Sequence, residues 1–158
     1  MKLNLFNDLI ATELRYIQNI YKTWNLKTVI HAQNDIFPNT IHWQYGHVLT
    51  VFESSLCIVG KHTTDVGRYM RLFGYGTSPN NWKGQEVPDM EEILEHMGTL
   101  SERVNSLTEA ELNQCLPHRV NGMVTVKDCI VMNAMHVALH AGKIEEMSRV
   151  FKQELDWE

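Results

Sequence analysis

The sequence has no basic cluster, no paired-cysteine motif and no uninterrupted apolar run of membrane length, and each lack removes a class of protein. Lysine and arginine number 14 against 19 aspartate and glutamate, a net charge of −5 with histidine neutral. That balance argues against a non-specific binder of nucleic-acid backbones. The three cysteines, Cys57, Cys115 and Cys129, are odd in number and lack C-x-x-C spacing. They are expected to be small buried or half-buried thiols in a reducing compartment, by default the cytoplasm, with no disulfide framework. The N-terminus shows neither an apolar h-region nor a small-residue cleavage site, so no secretory signal is expected. Residues 41–60 carry one formal charge, Glu53, but also His42, Gln44, His47, Thr50, Ser54 and Ser55. Such a segment reads as a buried core helix and not as a membrane span.

What is present fits a single domain over residues 1–158, ordinary in its 44% hydrophobic and 21% charged content. Four long amphipathic stretches stand out. In the first, Phe6, Ile10, Leu14, Ile17, Tyr21 and Trp24 recur every three or four positions, with Asn25 as terminator. Residues 26–39 carry no clear period, and Pro38-Asn39-Thr40 reads as a turn into the second helix, roughly 40–60, which is apolar almost all round and so belongs at the centre of a bundle. Residues 61–88 form a long, breaker-rich connection, expected to hold a short helix within Thr64 to Phe73. Asp89 caps a third helix whose stripe is Ile93, Met97, Leu100, Val104 and Leu107. Thr108 and Glu111 form a further capping box, and Asn121-Gly122 marks a hairpin-like turn. Thr125 and Asp128 then cap a fourth helix over about 126–152. These elements predict an all-α four-helix bundle, its long second connection allowing helices two and three to run parallel.

The chemistry lies in the histidines. Val126, Cys129, Asn133, His136, His140, Ile144, Met147 and Phe151 form the inward stripe of the fourth helix, so His136 and His140, one turn apart, fall among core residues. Two adjacent buried imidazoles with nothing to bind leave polar nitrogens unsatisfied, at about 1–3 kcal/mol each; a shared divalent ion removes that cost. A third ligand is expected from the second helix. His42 and His47 are five apart and cannot both face one ion. His47 is mid-helix and follows Gly46, which permits close approach by a neighbour. His42 sits near the helix start, where solvent or capping contacts are available, so His47 is the better candidate. Gly142 suggests crowding near His140. Gln44 and Asn133, three positions before His47 and His136, are candidates to orient the ligand rings. His31, His62, His96 and His118 read as surface or loop residues. Tyr69, Phe73, Tyr75 and Trp82 either pack the long loop onto the bundle or roof a pocket.

The segments His42-Trp43-Gln44-Tyr45-Gly46-His47-Val48-Leu49 and His136-Val137-Ala138-Leu139-His140-Ala141-Gly142-Lys143-Ile144 resemble the W-x-x-G-H and late H-x-x-x-H-x-G segments of the DinB-like superfamily, which includes bacillithiol transferases. The resemblance extends over nearly the whole chain in helix order and loop placement. It implies an up-down-down-up four-helix bundle, often dimeric, with a three-histidine metal centre formed here by His47, His136 and His140. It further implies diverse activities on small-molecule substrates, among them transfer of a low-molecular-weight thiol, and it does not imply nucleic-acid binding, in agreement with the acidic balance; no membrane partner is expected from the residues either.

Three imidazoles leave a divalent ion, zinc or nickel, with an open position at which a thiol or water becomes nucleophilic. The expectation is therefore a metal-dependent thiol S-transferase or hydrolase, with no general base assigned. The rival is a non-catalytic, metal-binding dimeric bundle, a stress-associated protein without enzymatic activity. It is disfavoured because structural zinc sites are usually closed by four protein ligands. A DNA-associated role has no support in the residues.

Overall fold

A computed structural model describes residues 2–155, with side chains from residue 5 onward. The fold is predominantly helical. Helix α1 (Lys2–Thr23) buries Ile10, Leu14, Ile17 and Ile20. The expected stripe holds at its centre and turns at its end, where Ile20 takes the inward place and Trp24 is exposed. Asn25, at φ 46°, adopts the left-handed conformation that stops the helix, a role asparagine fills with little strain. One turn of 3₁₀ helix (Leu26–Thr28) follows and buries Leu26.

Helix α2 (Ile41–Cys57) starts at Thr40, whose Oγ1 accepts from Trp43 N at 3.0 Å. It is buried along almost its whole length, polar residues included. Its hydroxyls are satisfied locally: Thr50 donates to Gly46 O at 2.7 Å and Ser54 to Thr50 O at 2.8 Å. Among the described residues no helix is long and apolar enough to cross a membrane.

The long connection contains α3 (Val66–Phe73), capped by Asp65, and a 3₁₀ turn (Pro79–Asn81). Its beginning is fastened by the fully buried Glu53, whose Oε2 accepts from Thr63 N at 2.7 Å and Thr64 N at 3.1 Å, while Oε1 pairs with Arg103 at 2.6 Å. The third long helix is interrupted, forming α4 (Met90–Gly98) and α5 (Leu100–Asn105). The break falls at Gly98-Thr99, where glycine weakens the helix and the Thr99 hydroxyl donates to His96 O at 3.0 Å. Its expected stripe is buried throughout: Ile93, Met97, Leu100, Val104 and Leu107.

The capping box at Thr108 and Glu111 opens α6 (Glu109–Leu112). Strands β1 (Cys115–Val120) and β2 (Met123–Thr125) pair antiparallel around Asn121-Gly122, both at positive φ as such turns require. Asp128 then accepts from Val124 N and Thr125 N, each at 2.9 Å, and these donors hold its carboxyl below the usual aspartate range. Helix α7 (Val126–Leu155) carries the stripe predicted for it, buried except for the half-buried His136. Helix α7 packs on both α1 and α2, and α4 packs on both of these helices as well.

Two expectations for single residues fail. Cys57 and Cys115 are exposed, and only Cys129 is buried, with its thiol pKa raised by burial. His42 is not solvated: it is buried, its Nε2 donates to Pro88 O at 2.7 Å, and the Trp82 ring packs edge-on against it at 5.1 Å. The loop after the 3₁₀ turn folds back over the start of α2 and leaves His42 only 5% exposed.

Candidate metal centre

His47, His136 and His140 converge: one ring nitrogen from each lies within 4.8 Å of the others. Ring centroids are 4.9 Å apart for His47 and His136, 5.1 Å for His47 and His140, and 4.3 Å for His136 and His140. The two α7 histidines share a face because they are one turn apart, and the packing of α2 on α7 supplies the third.

Hydrogen bonds outside the cluster set the tautomers. His47 Nδ1 lies 2.7 Å from Phe73 O, and because a carbonyl only accepts, Nδ1 carries the proton and Nε2 a free lone pair. His140 Nδ1 lies 2.6 Å from Gln44 Oε1, so His140 likewise turns a bare Nε2 inward. That Nε2 is 2.9 Å from Nε2 of His136. Three imidazoles with two outward-fixed protons thus concentrate lone pairs on one small volume, the donor set a borderline divalent cation requires. The residues present fit a metal ion.

Electrostatics agree. Burial lowers all three histidine pKa values below the ordinary imidazole range. His136 is pushed down to about 4 by burial and then by His47. His140 is pushed down to about 3 by burial and then by His136 and His47. Neutral imidazoles are the form a metal needs.

The orienting shell differs in part from expectation. Gln44 holds His140, as expected. Asn133 does not hold His136; its Nδ2 donates to Ser55 Oγ at 3.1 Å, one turn away from the cluster. Gly46 does accommodate a close neighbour, the ring of Phe73. Gly142 does not: a Cβ there would meet nothing within 4 Å. Of the four loop aromatics, Tyr69 and Phe73 are core residues and Trp82 packs on His42 and Phe73. Tyr75, 97% exposed, borders a cavity. His31, His62 and His118 are exposed as expected, and His96 is half-buried against Thr63 Oγ1 at 2.8 Å.

Sequence reasoning missed three contributors. Trp43 stacks on His47 with centroids 4.6 Å apart and planes 10° from parallel, and its Nε1 donates to Thr77 Oγ1 at 2.9 Å. Its i−4 spacing from His47 was the available signal. The Phe73 carbonyl has no signal in sequence, because any residue type carries one. His118, on β1, lines the same cavity as His47, although hairpin and helix lie far apart in the chain.

A mostly helical chain that gathers three histidines, two buried and one half-buried, from two packed helices belongs to the class of helical proteins with a histidine-cluster site. The family model for the DinB superfamily matches residues 3–144, a span that contains all three histidines, and the chain belongs to that superfamily. No curated protein matches the chain.

Proposed function

We propose that this protein is a metal-dependent enzyme in which His47, His136 and His140 hold one divalent ion, zinc or nickel. The reaction is thiol S-transfer or hydrolysis on a small-molecule substrate, with a low-molecular-weight thiol or water as nucleophile. The observation that carries this reading is the pair of hydrogen bonds from His47 Nδ1 to Phe73 O and from His140 Nδ1 to Gln44 Oε1, which leaves bare nitrogens facing one another inside the fold. When bound, a divalent ion supplies Lewis acidity that makes a thiol or water nucleophilic near neutral pH.

The chain's own residues prepare that setting. Gln44 and the Phe73 carbonyl fix two ring orientations, and Trp43 braces the face of His47. Among the described residues no fourth histidine, cysteine or carboxylate joins the group, which favours an ion left open to substrate over a closed structural site. Glu53 is unsuited to proton transfer here, because Arg103 and the Thr63-Thr64 backbone occupy its oxygens.

The reading includes a single domain built as an up-down-down-up bundle, supported by the way α4 and α7 each pack against both α1 and α2. It also includes a homodimer in the cytoplasm, without nucleic-acid or membrane partners. Exposed i,i+4 apolar pairs, Leu5 with Leu9 on α1 and Met135 with Leu139 on α7, support self-association. Three free cysteines support a reducing compartment.

Elemental analysis of purified wild type beside His136→Ala, followed by thiol-conjugation assays of the metal-loaded form, tests the proposal. One equivalent of metal in wild type, its loss in the variant, and thiol-dependent turnover in wild type alone are expected. Equal metal content in both proteins removes the ligand set. Metal removal that unfolds the protein, with no turnover in the loaded form, favours the non-catalytic alternative.

A further inference from the structure

Next to the histidine cluster lies a cavity of about 390 Å³, bounded by α2, the end of α3, the β-hairpin and α7. His47 belongs both to its wall and to the cluster. No aspartate, glutamate, lysine or arginine lines it. The aliphatic hydroxyls in the wall are already committed: Thr50, Ser54 and Ser55 each donate to a backbone carbonyl of α2 at 2.7, 2.8 and 3.1 Å, while Tyr75 at the rim is 97% exposed. In the metal-free protein an ionic ligand would therefore lose hydration there with no lysine, arginine or carboxylate to pair with.

The apolar part of the wall is adaptable. Met70, Met123 and Met132 reach it from three different elements, and thioethers pack well against aromatic rings. Met70 and Val120 line this cavity while remaining 45% and 50% exposed. Apart from His47 and the exposed Tyr75 and His118 at the rim, one polar group in the wall is unspent. Asn133 is fully buried, its Nδ2 is held by Ser55, and its Oδ1 has no hydrogen-bond partner. A buried acceptor without a donor is costly, and a ligand N–H or O–H would satisfy it.

We infer that this cavity is the binding site for an uncharged aromatic molecule bearing one N–H or O–H donor, bound beside His47. The hairpin, which separates this chain from a plain helical bundle, is then a substrate wall. Only the assignment of this molecule as the enzyme's substrate rests on the proposed function; its binding does not need the metal.

The test uses metal-free protein and the neutral fluorescent probe N-phenyl-1-naphthylamine, with far-UV circular dichroism as a check on folding. Saturable binding at one site per chain is expected. Val51→Trp and Met132→Trp, which fill the cavity from α2 and α7, each weaken it at least tenfold. Val131→Trp leaves it unchanged, because that residue lines a separate apolar cavity with Phe6 and Leu107. In competition, 1-benzylnaphthalene, which lacks the N–H, binds roughly five- to tenfold more weakly, as loss of one buried hydrogen bond predicts.

Absence of saturable binding, equal binding by both filled variants, or no discrimination against the analogue overturns the inference. So does a finding by sedimentation that the filled variants lose self-association and not probe binding, which would make the cavity an interface between copies. The metal content of wild type is measured separately. Probe binding by a wild type that takes up no metal sinks the enzymatic reading alone, and metal uptake without probe binding sinks the cavity alone.

Discussion

Gln44 Oε1 lies 2.6 Å from His140 Nδ1, so a side chain in the first turns of α2 fixes the tautomer of a histidine on α7. Gln44 is itself fully buried, and its Nε2 has no partner. Its carbonyl end therefore does the useful work. Gln44→Leu, which removes the acceptor at similar volume, is expected to lower metal affinity by about 10–100-fold, the usual cost of losing a group that orients a ligand. Gln44→Glu keeps an acceptor toward Nδ1 and is expected to retain affinity. Competition against a chromophoric chelator measures both, and equal affinities for wild type and Gln44→Leu would remove Gln44 from the site.

Gly46 and Gly142 make a paired test. A Cβ on Gly46 would stand 2.2 Å from Cδ1 and 2.4 Å from Cε1 of Phe73. Phe73 cannot retreat: it is fully buried and packed by Trp82 at 5.3 Å. Gly46→Ala is expected to cost about 1–3 kcal/mol through overpacking, in spite of alanine's better helix propensity. It should also reduce metal loading, since the same Phe73 supplies the carbonyl that orients His47. Gly142→Ala meets nothing and is expected to stabilise by up to about 1 kcal/mol. Urea denaturation with unchanged m-values reads both, and a Gly46→Ala protein as stable as wild type would contradict the packing argument.

Much of this site was legible because helical periodicity is local. The α7 stripe carried His136 and His140 inward among Cys129, Ile144 and Met147, and the spacing of His42 and His47 already separated their roles. Gly46 announced a close neighbour, but only the fold names Phe73, which arrives from the long connection. Gly142 announced nothing; its helix face is simply open. His42 was misjudged because its burial comes from Trp82 and Pro88, on a loop whose return over α2 no local pattern encodes. Asn133 had the right spacing from His136 and was claimed by Ser55 instead. Residues one turn from a ligand are placed by periodicity; their partners are placed by tertiary packing.

The Glu53–Arg103 pair holds the start of the connection to α5. Glu53 is fully buried and Arg103 is 14% exposed, at 2.6 Å. Removing one member leaves the other's charge uncompensated in a desolvated place, which typically costs about 3–5 kcal/mol. Arg103→Leu is therefore expected to destabilise by about that amount, with Thr63 and Thr64 losing protection from amide exchange because Glu53 no longer holds their N–H groups. A loss below about 1 kcal/mol would show that water reaches Glu53 and that the pair behaves as a surface one.

His42 gives the protein a pH dependence separate from that of the three-histidine cluster. Burial lowers its pKa below the ordinary imidazole range, partly offset by the bond to Pro88 O. Its Nδ1 is buried without a partner, so a second proton there would find no acceptor. As pH falls, the unfolded chain takes up a proton near pH ~6.5 while the folded chain does not. The unfolded state then binds more protons, and folding stability drops as pH decreases from about 6.5 toward the folded pKa; above about pH 7 the contribution is fully present. His42→Gln keeps a donor for Pro88 O and removes the titration. Its stability should fall less steeply than that of wild type between pH 6.5 and 5, by at most about 1.4 kcal/mol per pH unit, the slope of one proton. The ligand histidines add a slope of the same sign to both proteins and cancel in the difference. Urea denaturation of metal-free protein from pH 5 to 7.5 measures it, and parallel curves would mean that His42 accepts its proton without unfolding.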